Sequence, residues 1–397
     1  MDPNRSLEIK TKRINVGMTF DFDLTDKTGQ VVLKAGQPFD ETVRQNLLDA
    51  GVESLTIMVK AQPELATRAL LDSYPAESVE RLQNTINLAE RALNAFVEEL
   101  TINRRANCDS LRGQVDRILF EATNDPSALL GVLAARWSMD LKNESQRLGK
   151  RATRLSCLSM IAGMKIGLNP SDLKLIGLAG LMHDVSMFFH PEWQDPKYRA
   201  LHHREFMAAY QKHSVESTEY LSLTAGLGQQ ALLMISQIHE QVDGSGIPRG
   251  LNGAQILYGA KILNVVDAYL EIVDPMFRSN GIIPSDALGQ LCFHANRGVF
   301  DREAVQSLIE AVSYYPVGTE VDLSDSRRAV VIRTIAGKPL EPVVRLLDGS
   351  DEILDLHQTA LSIIAPATGG IGGRRLRIQT EMEIPWWDAL TKTEFQE

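Results

Sequence analysis

The chain has 397 residues, 44% of them hydrophobic and 23% charged, with a net charge of −10. Such a composition suits two or three globular domains of ~100–200 residues each. The acidic balance excludes a broad nucleic-acid-binding surface, because neutralising a phosphate backbone takes a surplus of Lys and Arg; a local basic pocket for one small phosphate ligand stays open.

The three cysteines, Cys108, Cys157 and Cys292, are far apart and lack metal-finger spacing, which reads as reduced thiols in a cytosol. The opening MDPNRSLEIKTKRINVG has no apolar core of the signal-peptide kind. No stretch holds the ~18–20 uninterrupted apolar residues of a membrane span. A cytoplasmic location is the expectation.

Residues 1–62 predict a small α+β unit. Ile14, Val16, Met18, Phe20 and Phe22 alternate, which predicts a strand, and Val31-Val32-Leu33 a second one after the turn Asp26-Lys27-Thr28-Gly29. Asp40 caps a helix that Gly51 ends, and Leu55 to Val59 form a third strand. Residues 63–125 read as a helical linker. In it Val79, Leu82, Ile86, Ala89, Leu93, Phe96 and Leu100 are spaced 3,4,3,4,3,4. That seam fits either a long helix packed on its own domain or a dimer-forming coiled coil. Residues 126–312 have helical periodicity and predict an all-helical bundle. After Pro316-Val317-Gly318 the pattern alternates again, predicting a small β-rich unit over 313–397. Gly369-Gly370-Ile371-Gly372-Gly373 reads as a flexible loop, since it lacks the GK[ST] ending of a phosphate cradle. The fold class is mainly α, a helical bundle flanked by these two smaller units.

Four places in the bundle could carry chemistry. His183-Asp184 ends the apolar helix LKLIGLAGLMHD, where both side chains could meet a metal ion, although such a pair alone is more often a helix terminus. His213 stands near the start of another helix. His239-Glu240 opens a loop with Asp243, Gly244, Gly246 and Pro248. Asp267 lies inside the apolar helix AKILNVVDAYLEIV, where a carboxylate needs a cation or a hydrogen-bond partner; capping a neighbouring helix would also satisfy it.

The ordered series, with HEQVDGSGIPRGLNG as its most specific part and then AKILNVVDAYLEIV and PMFR, resembles the HD-GYP domains, a branch of the HD superfamily of metal-dependent phosphohydrolases. The resemblance covers about residues 140–312. It implies an all-helical domain holding two or three metal ions, often iron or manganese, that hydrolyses the bacterial second messenger cyclic di-GMP. It assigns His183, Asp184, His213, His239 and Asp267 as metal ligands, with His183 and Asp184 central to catalysis. Glu240, Asp243, Gly244, Gly246 and Pro248 fall in the signature loop.

Several positions depart from the family's pattern. Ile238 replaces the first of two adjacent histidines. Arg151, a fixed cation, stands near the ligand on the domain's first helix. Ser186-Met187 replaces Gly-Lys, and Ile247 the signature tyrosine. His190, His202 and His203 lie in the altered segment FFHPEWQDPKYRALHHREF and could supply substitute ligands. Two expectations follow. One is a metal-dependent cyclic dinucleotide phosphodiesterase with a lean or mononuclear site. The other is a degenerate signalling or scaffolding module, binding a protein partner, a second copy or a nucleotide without cleaving it. In either, Asp184, Asp267 and His183 share a cavity, and without metal a bidentate Arg151–Asp pair takes the cation's place.

Overall fold

The computed structural model describes residues 4–366 apart from 15, 17, 20–22, 27, 35, 61–62, 141–146 and 277–280. The N-terminal unit contains β1 (Asn4–Lys10), β2 (Met18–Thr19), β3 (Leu24–Thr25), β4 (Val31–Leu33), β5 (Pro38–Phe39), helix α1 (Glu41–Asp49) and β6 (Ser54–Lys60). Asp40 caps α1 by accepting from Val43 N. A four-stranded sheet runs in the order β1-β6-β3-β4.

Residues 15, 17 and 20–22 of the alternating stretch lie outside the described residues, so the strand predicted over 14–22 is seen only in part. Thr11–Arg13 form a 3₁₀ turn, Met18–Thr19 pair as a strand, and the long partner of β6 is β1. Ile14 instead drops into the unit's core beside Leu24, Leu33, Phe39 and Leu55. Phe20 and Phe22 lie outside the described residues.

Helices follow: α2 (Pro63–Leu71), α3 (Ala76–Asn103), α4 (Asp109–Asn124), α5 (Pro126–Asp140), α6 (Arg147–Lys165), α7 (Pro170–Met182), α8 (Pro196–Leu201), α9 (His203–Tyr210), α10 (His213–Leu221), α11 (Gln229–Ser236), α12 (Tyr258–Val273), α13 (Pro284–Asn296) and α14 (Arg302–Val312). One core runs from Leu82 to Val312. The heptad seam of α3 belongs to it: Leu82, Ile86, Ala89, Leu93, Phe96 and Leu100 are buried there, with Val79 at its margin. The seam's apolar stripe packs on α4, α5 and α6 of the same chain.

Helices α6 and α7 carry the site. Both are buried over most of their surface. They approach closely at Gly180, where a Cβ would stand 3.1 Å from the backbone N and Cα of Ser156. Asn169 caps α7 through the backbone N–H groups of Ser171 and Asp172, with Pro170 opening the helix.

The C-terminal sheet is antiparallel, in the order β10-β9-β8-β7-β11, from β7 (Glu320–Leu323), β8 (Arg328–Ile335), β9 (Lys338–Leu346), β10 (Ile353–Asp355) and β11 (Ile363–Pro366). Period two sorts its side chains. Val330, Ile332 and Val343 pack against Ala66, Leu70 and Ala135 of α2 and α5, while Ala329, Val331 and Val344 face a second apolar layer with Tyr315 and Leu356. Residues 369–373 lie outside the described residues.

Candidate functional site

The chain delivers His183 and Asp184 at the C-terminal end of α7, in a short turn rather than a loop. That turn is braced. Ser186 Oγ donates to His213 O at 2.8 Å, and Ser186 N donates to Ser217 Oγ at 3.0 Å, so the position that departs from the family pattern works as a strut to α10. His213 is the first residue of α10. His239 follows α11, and Asn264 Nδ2 of α12 donates to Ile238 O at 2.6 Å and to Glu240 O at 3.1 Å. Asp267 lies on α12 itself. Four stretches distant in sequence are thereby fixed to one another by packing and short polar ties.

Their side chains meet in the interior. His183 Nε2 is 2.9 Å from Asp184 Oδ2 and 3.9 Å from Asp267 Oδ1. His213 Nε2 is 3.2 Å from Asp184 Oδ1 and 3.0 Å from His239 Nε2. His239 Nδ1 is 3.8 Å from Asp267 Oδ2. All five residues are at least nine-tenths buried.

Arg151 of α6 enters the same space. Its Nη2 donates to Asp267 Oδ1 at 2.7 Å, and its Nη1 lies 3.3 Å from Glu271 Oε2. The guanidinium is thus split between two carboxylates, which corrects the expected bidentate pairing with one aspartate. The reason is helical spacing: Glu271 is one turn beyond Asp267 on the same face.

Backbone contacts fix the imidazole tautomers. His183 Nδ1 donates to Gly180 O at 2.9 Å, and His213 Nδ1 donates to Tyr210 O. In the neutral rings both Nε2 atoms then carry lone pairs aimed at carboxylate oxygens. His183 Nε2 lies close to Asp184 but off hydrogen-bond geometry, so it is a buried nitrogen without a hydrogen-bond partner. Imidazoles held in this way are typical of metal ligands.

Electrostatics separate the groups. Burial disfavours ionised Asp184, but His183 and His213 outweigh it and hold the carboxyl well below its ordinary value. Burial likewise opposes charge on Asp267, where Arg151, His239 and His183 win and keep it ionised. For His183 burial pulls downward, yet Asp184 and then Asp267 raise its pKa. His239 goes the other way: burial first and His213 second lower it to about 3.

The last shift has a consequence for acid stability. An unfolded chain binds a proton at His239 below about 6.5, whereas the folded, metal-free site does so only near 3. Protonation therefore favours the unfolded state increasingly as pH falls through that window. The melting temperature of metal-stripped protein should drop from pH 6.5 toward 3, and His239→Gln should flatten part of that slope; an equally steep slope in the variant would refute this origin.

The signature loop hangs from one carboxylate. Glu240, 2% exposed, accepts the backbone N–H groups of Arg249 and Leu251, both at 2.8 Å. Its replacement by Ala leaves two donors unpaired, a loss of about 2–5 kcal/mol if neither finds water. Urea unfolding of Glu240→Ala against the parent measures it. Asp243 Oδ1 closes the loop locally on Ser245 N and Oγ. Gly244 has a φ of 83°, a conformation glycine adopts without strain. Pro248 follows Ile247 near the loop's tip, and Ile247 N donates to His239 O at 3.0 Å.

The remaining candidates lie elsewhere. Both ring nitrogens of His190 face carboxylates, Glu192 at 3.2 Å and Glu216 at 3.1 Å, and the ring stacks on Trp193. His202 packs beside Tyr198 on an exposed helix end, and His203 opens α9. Ile238 is fully buried in the main core, and Met187 packs with Leu148, Trp193, Phe206 and Met276. Phe277 and Arg278 of PMFR lie outside the described residues. Sequence reasoning passed over Glu271 and Tyr210. Glu271 carried the same signal as Asp267, an acid inside an apolar helix one turn away. Tyr210 stacks on His213 with ring centroids 4.7 Å apart, a contact no local pattern announces.

The result is a helical domain with His and Asp side chains gathered at the buried end of one helix. Residues 137–304 match the HD domain family model, and the chain carries an HD domain distantly homologous to HD-GYP cyclic di-GMP phosphodiesterases. It is 23% identical over 227 residues to cyclic di-GMP phosphodiesterase PdeB of Borreliella burgdorferi, covering 57% of this chain and 59% of that protein. Against a cyclic di-GMP phosphodiesterase of Pseudomonas aeruginosa the identity is 25% over 249 residues, 63% of this chain and 58% of the relative. With the 3'3'-cGAMP-specific phosphodiesterase 1 of Vibrio cholerae it is 31% over 127 residues, 32% and 29% of the two chains. The chain spans less than two thirds of the length of each of these relatives. Among solved structures, Bd1817, an HD-GYP-type protein of Bdellovibrio bacteriovorus, aligns at 17% identity with a TM-score of 0.46, covering 77% of this chain and 98% of that one. Among the described residues no helix is long and apolar enough to cross a membrane.

Proposed function

We propose that this HD domain is a metal-dependent phosphodiesterase site reduced to one cation position, with Asp184, His213 and His239 as the protein ligands and a cyclic dinucleotide as substrate. The observation that carries this reading is the facing of donors. Nε2 of His213 stands 3.2 Å from Asp184 Oδ1 and 3.0 Å from His239 Nε2. Donors in neighbouring positions about an ion at ~2.1 Å are separated by about 3.0–3.4 Å. As they stand, no group of three or more His, Cys, Asp or Glu side chains among the described residues is placed to hold a metal ion. The fit is therefore partial, resting on the two pairwise separations around His213.

Charge supports the same reading. Asp184, Asp267 and Glu271 crowd around Arg151 as the guanidinium that neutralises them, and a surplus of buried negative charge favours uptake of a cation. Imidazole and carboxylate suit iron or manganese. A divalent ion supplies Lewis acidity toward water and a phosphate oxygen. The chain's own residues do the rest. His183 is fixed by its Nδ1 on Gly180 O beside Asp184, while Ser186 and Asn264 hold the two stretches that bear the ligands.

A second reading, a module that binds without cleaving, is favoured by two observations. Arg151 occupies Asp267, and Met187 packs into an apolar cluster where the family pattern has a lysine. Metal content of the purified full chain and hydrolysis of cyclic di-GMP, before and after loading with manganese or iron, separate the two. About one bound equivalent with hydrolysis that depends on it supports the enzyme. A loaded protein that binds the dinucleotide and leaves it intact supports the module and removes the first reading.

A further inference from the structure

We infer that Arg151 is a resident cation that closes the Asp267 side of the site to metal, so that the domain holds at most one divalent ion; the inference rests on the one-cation reading above. Arg151 is one rung of a ladder. Arg147, Arg151 and Arg154 recur at i, i+4 and i+7 along α6, which sets them on one face. Asp267, Glu271 and Asp274 recur with the same spacing along α12 and its C-terminal cap. Arg147 Nη2 reaches Asp274 Oδ1 at 2.9 Å, and Arg154 Nη1 reaches Asp274 Oδ2 at 2.8 Å. Arg151 fills the middle rung on Asp267 and Glu271.

Both of its terminal nitrogens are committed. Besides the two carboxylates, Nη2 lies 3.3 Å from Asp267 O and Nη1 lies 3.4 Å from Asp274 O. With both terminal nitrogens taken by protein acceptors, this arginine is not a phosphate-binding finger. It is a counter-ion. Arginine cannot shed its charge in a protein, and the neighbouring carboxylates raise its affinity for the proton further, against the opposing pull of burial. A dication on Asp267 Oδ1 would sit at ~2.1 Å, inside the 2.7 Å that the guanidinium already takes. Like charges at such a separation exclude each other. Oδ1 of Asp267 is therefore withdrawn from coordination, and the α6–α12 seam is held without metal.

Manganese stoichiometry and melting of the full chain test this. The parent should bind one equivalent, and metal removal should leave the seam intact. Arg151→Glu places a third carboxylate beside Asp267 and Glu271. Without metal its melting temperature should fall by about 10 °C. With manganese it should bind one equivalent more than the parent and regain at least half of that fall. Arg154→Gln loses a rung away from the ligands and should keep the parent's stoichiometry. Two equivalents in the parent, or no gain in folded Arg151→Glu, overturn the inference. If Arg151→Glu does not fold even with manganese, the parent's own count decides. No metal in the parent together with one in Arg151→Glu removes the one-cation reading while this inference stands.

Discussion

Asp184→Asn should lower cyclic dinucleotide hydrolysis by more than ~100-fold and strip the site of metal at micromolar manganese. Losing an outer partner of a ligand already removes ~10–100-fold in metal affinity or activity, and Asp184 faces the site directly. Its two oxygens serve different neighbours, Oδ2 toward His183 and Oδ1 toward His213. An amide keeps one acceptor and turns the other toward an imidazole lone pair as an NH2, so the charge that holds a cation disappears while the volume is kept. The protein should still fold, because the turn is braced independently by Ser186 and Ser217. Hydrolysis and metal content measured together decide the matter. Full activity in Asp184→Asn would place the chemistry somewhere other than this cluster.

The second large effect is steric. A Cβ at Gly246 would lie 2.1 Å from Gln241 N and 2.5 Å from both Cα and C of Glu240. Those atoms are backbone and cannot swing aside. Gly246→Ala must push the loop off Glu240, which costs the two hydrogen bonds to Arg249 and Leu251 and shifts the residue next to His239. A destabilisation of about 3 kcal/mol or more is expected, at the upper end for single substitutions. Easier proteolytic cleavage within residues 240–253 should accompany it, since a loop released from its anchor opens locally. A variant as stable and as protease-resistant as the parent would show that the loop has another way to seat itself.

The helical character of 126–312 was legible because long apolar periodicity has few alternatives, and the C-terminal strands were legible because Val330 and Val331 must face opposite layers. The N-terminal unit shows a limit of such patterns. Alternation at 14–22 states which side chains want burial, but whether a strand forms depends on finding a partner, and β6 pairs with residues 4–10. The seam of α3 shows the same limit. A 3,4 repeat specifies an apolar stripe without saying whose surface will cover it.

The series His-Asp, His, His-Glu and Asp, together with the motif HEQVDGSGIPRGLNG, carried the resemblance to the HD-GYP domains, since side-chain chemistry and its sequence order are written in the chain. What the chain could not state was how Arg151 would divide itself between Asp267 and Glu271, or that Ser186 would become a strut and Met187 a packing residue. Those outcomes depend on distances of a few ångströms between α6, α7, α10 and α12. Such distances are set by how whole helices pack, with Gly180 letting two of them touch, and no local stretch of sequence contains them.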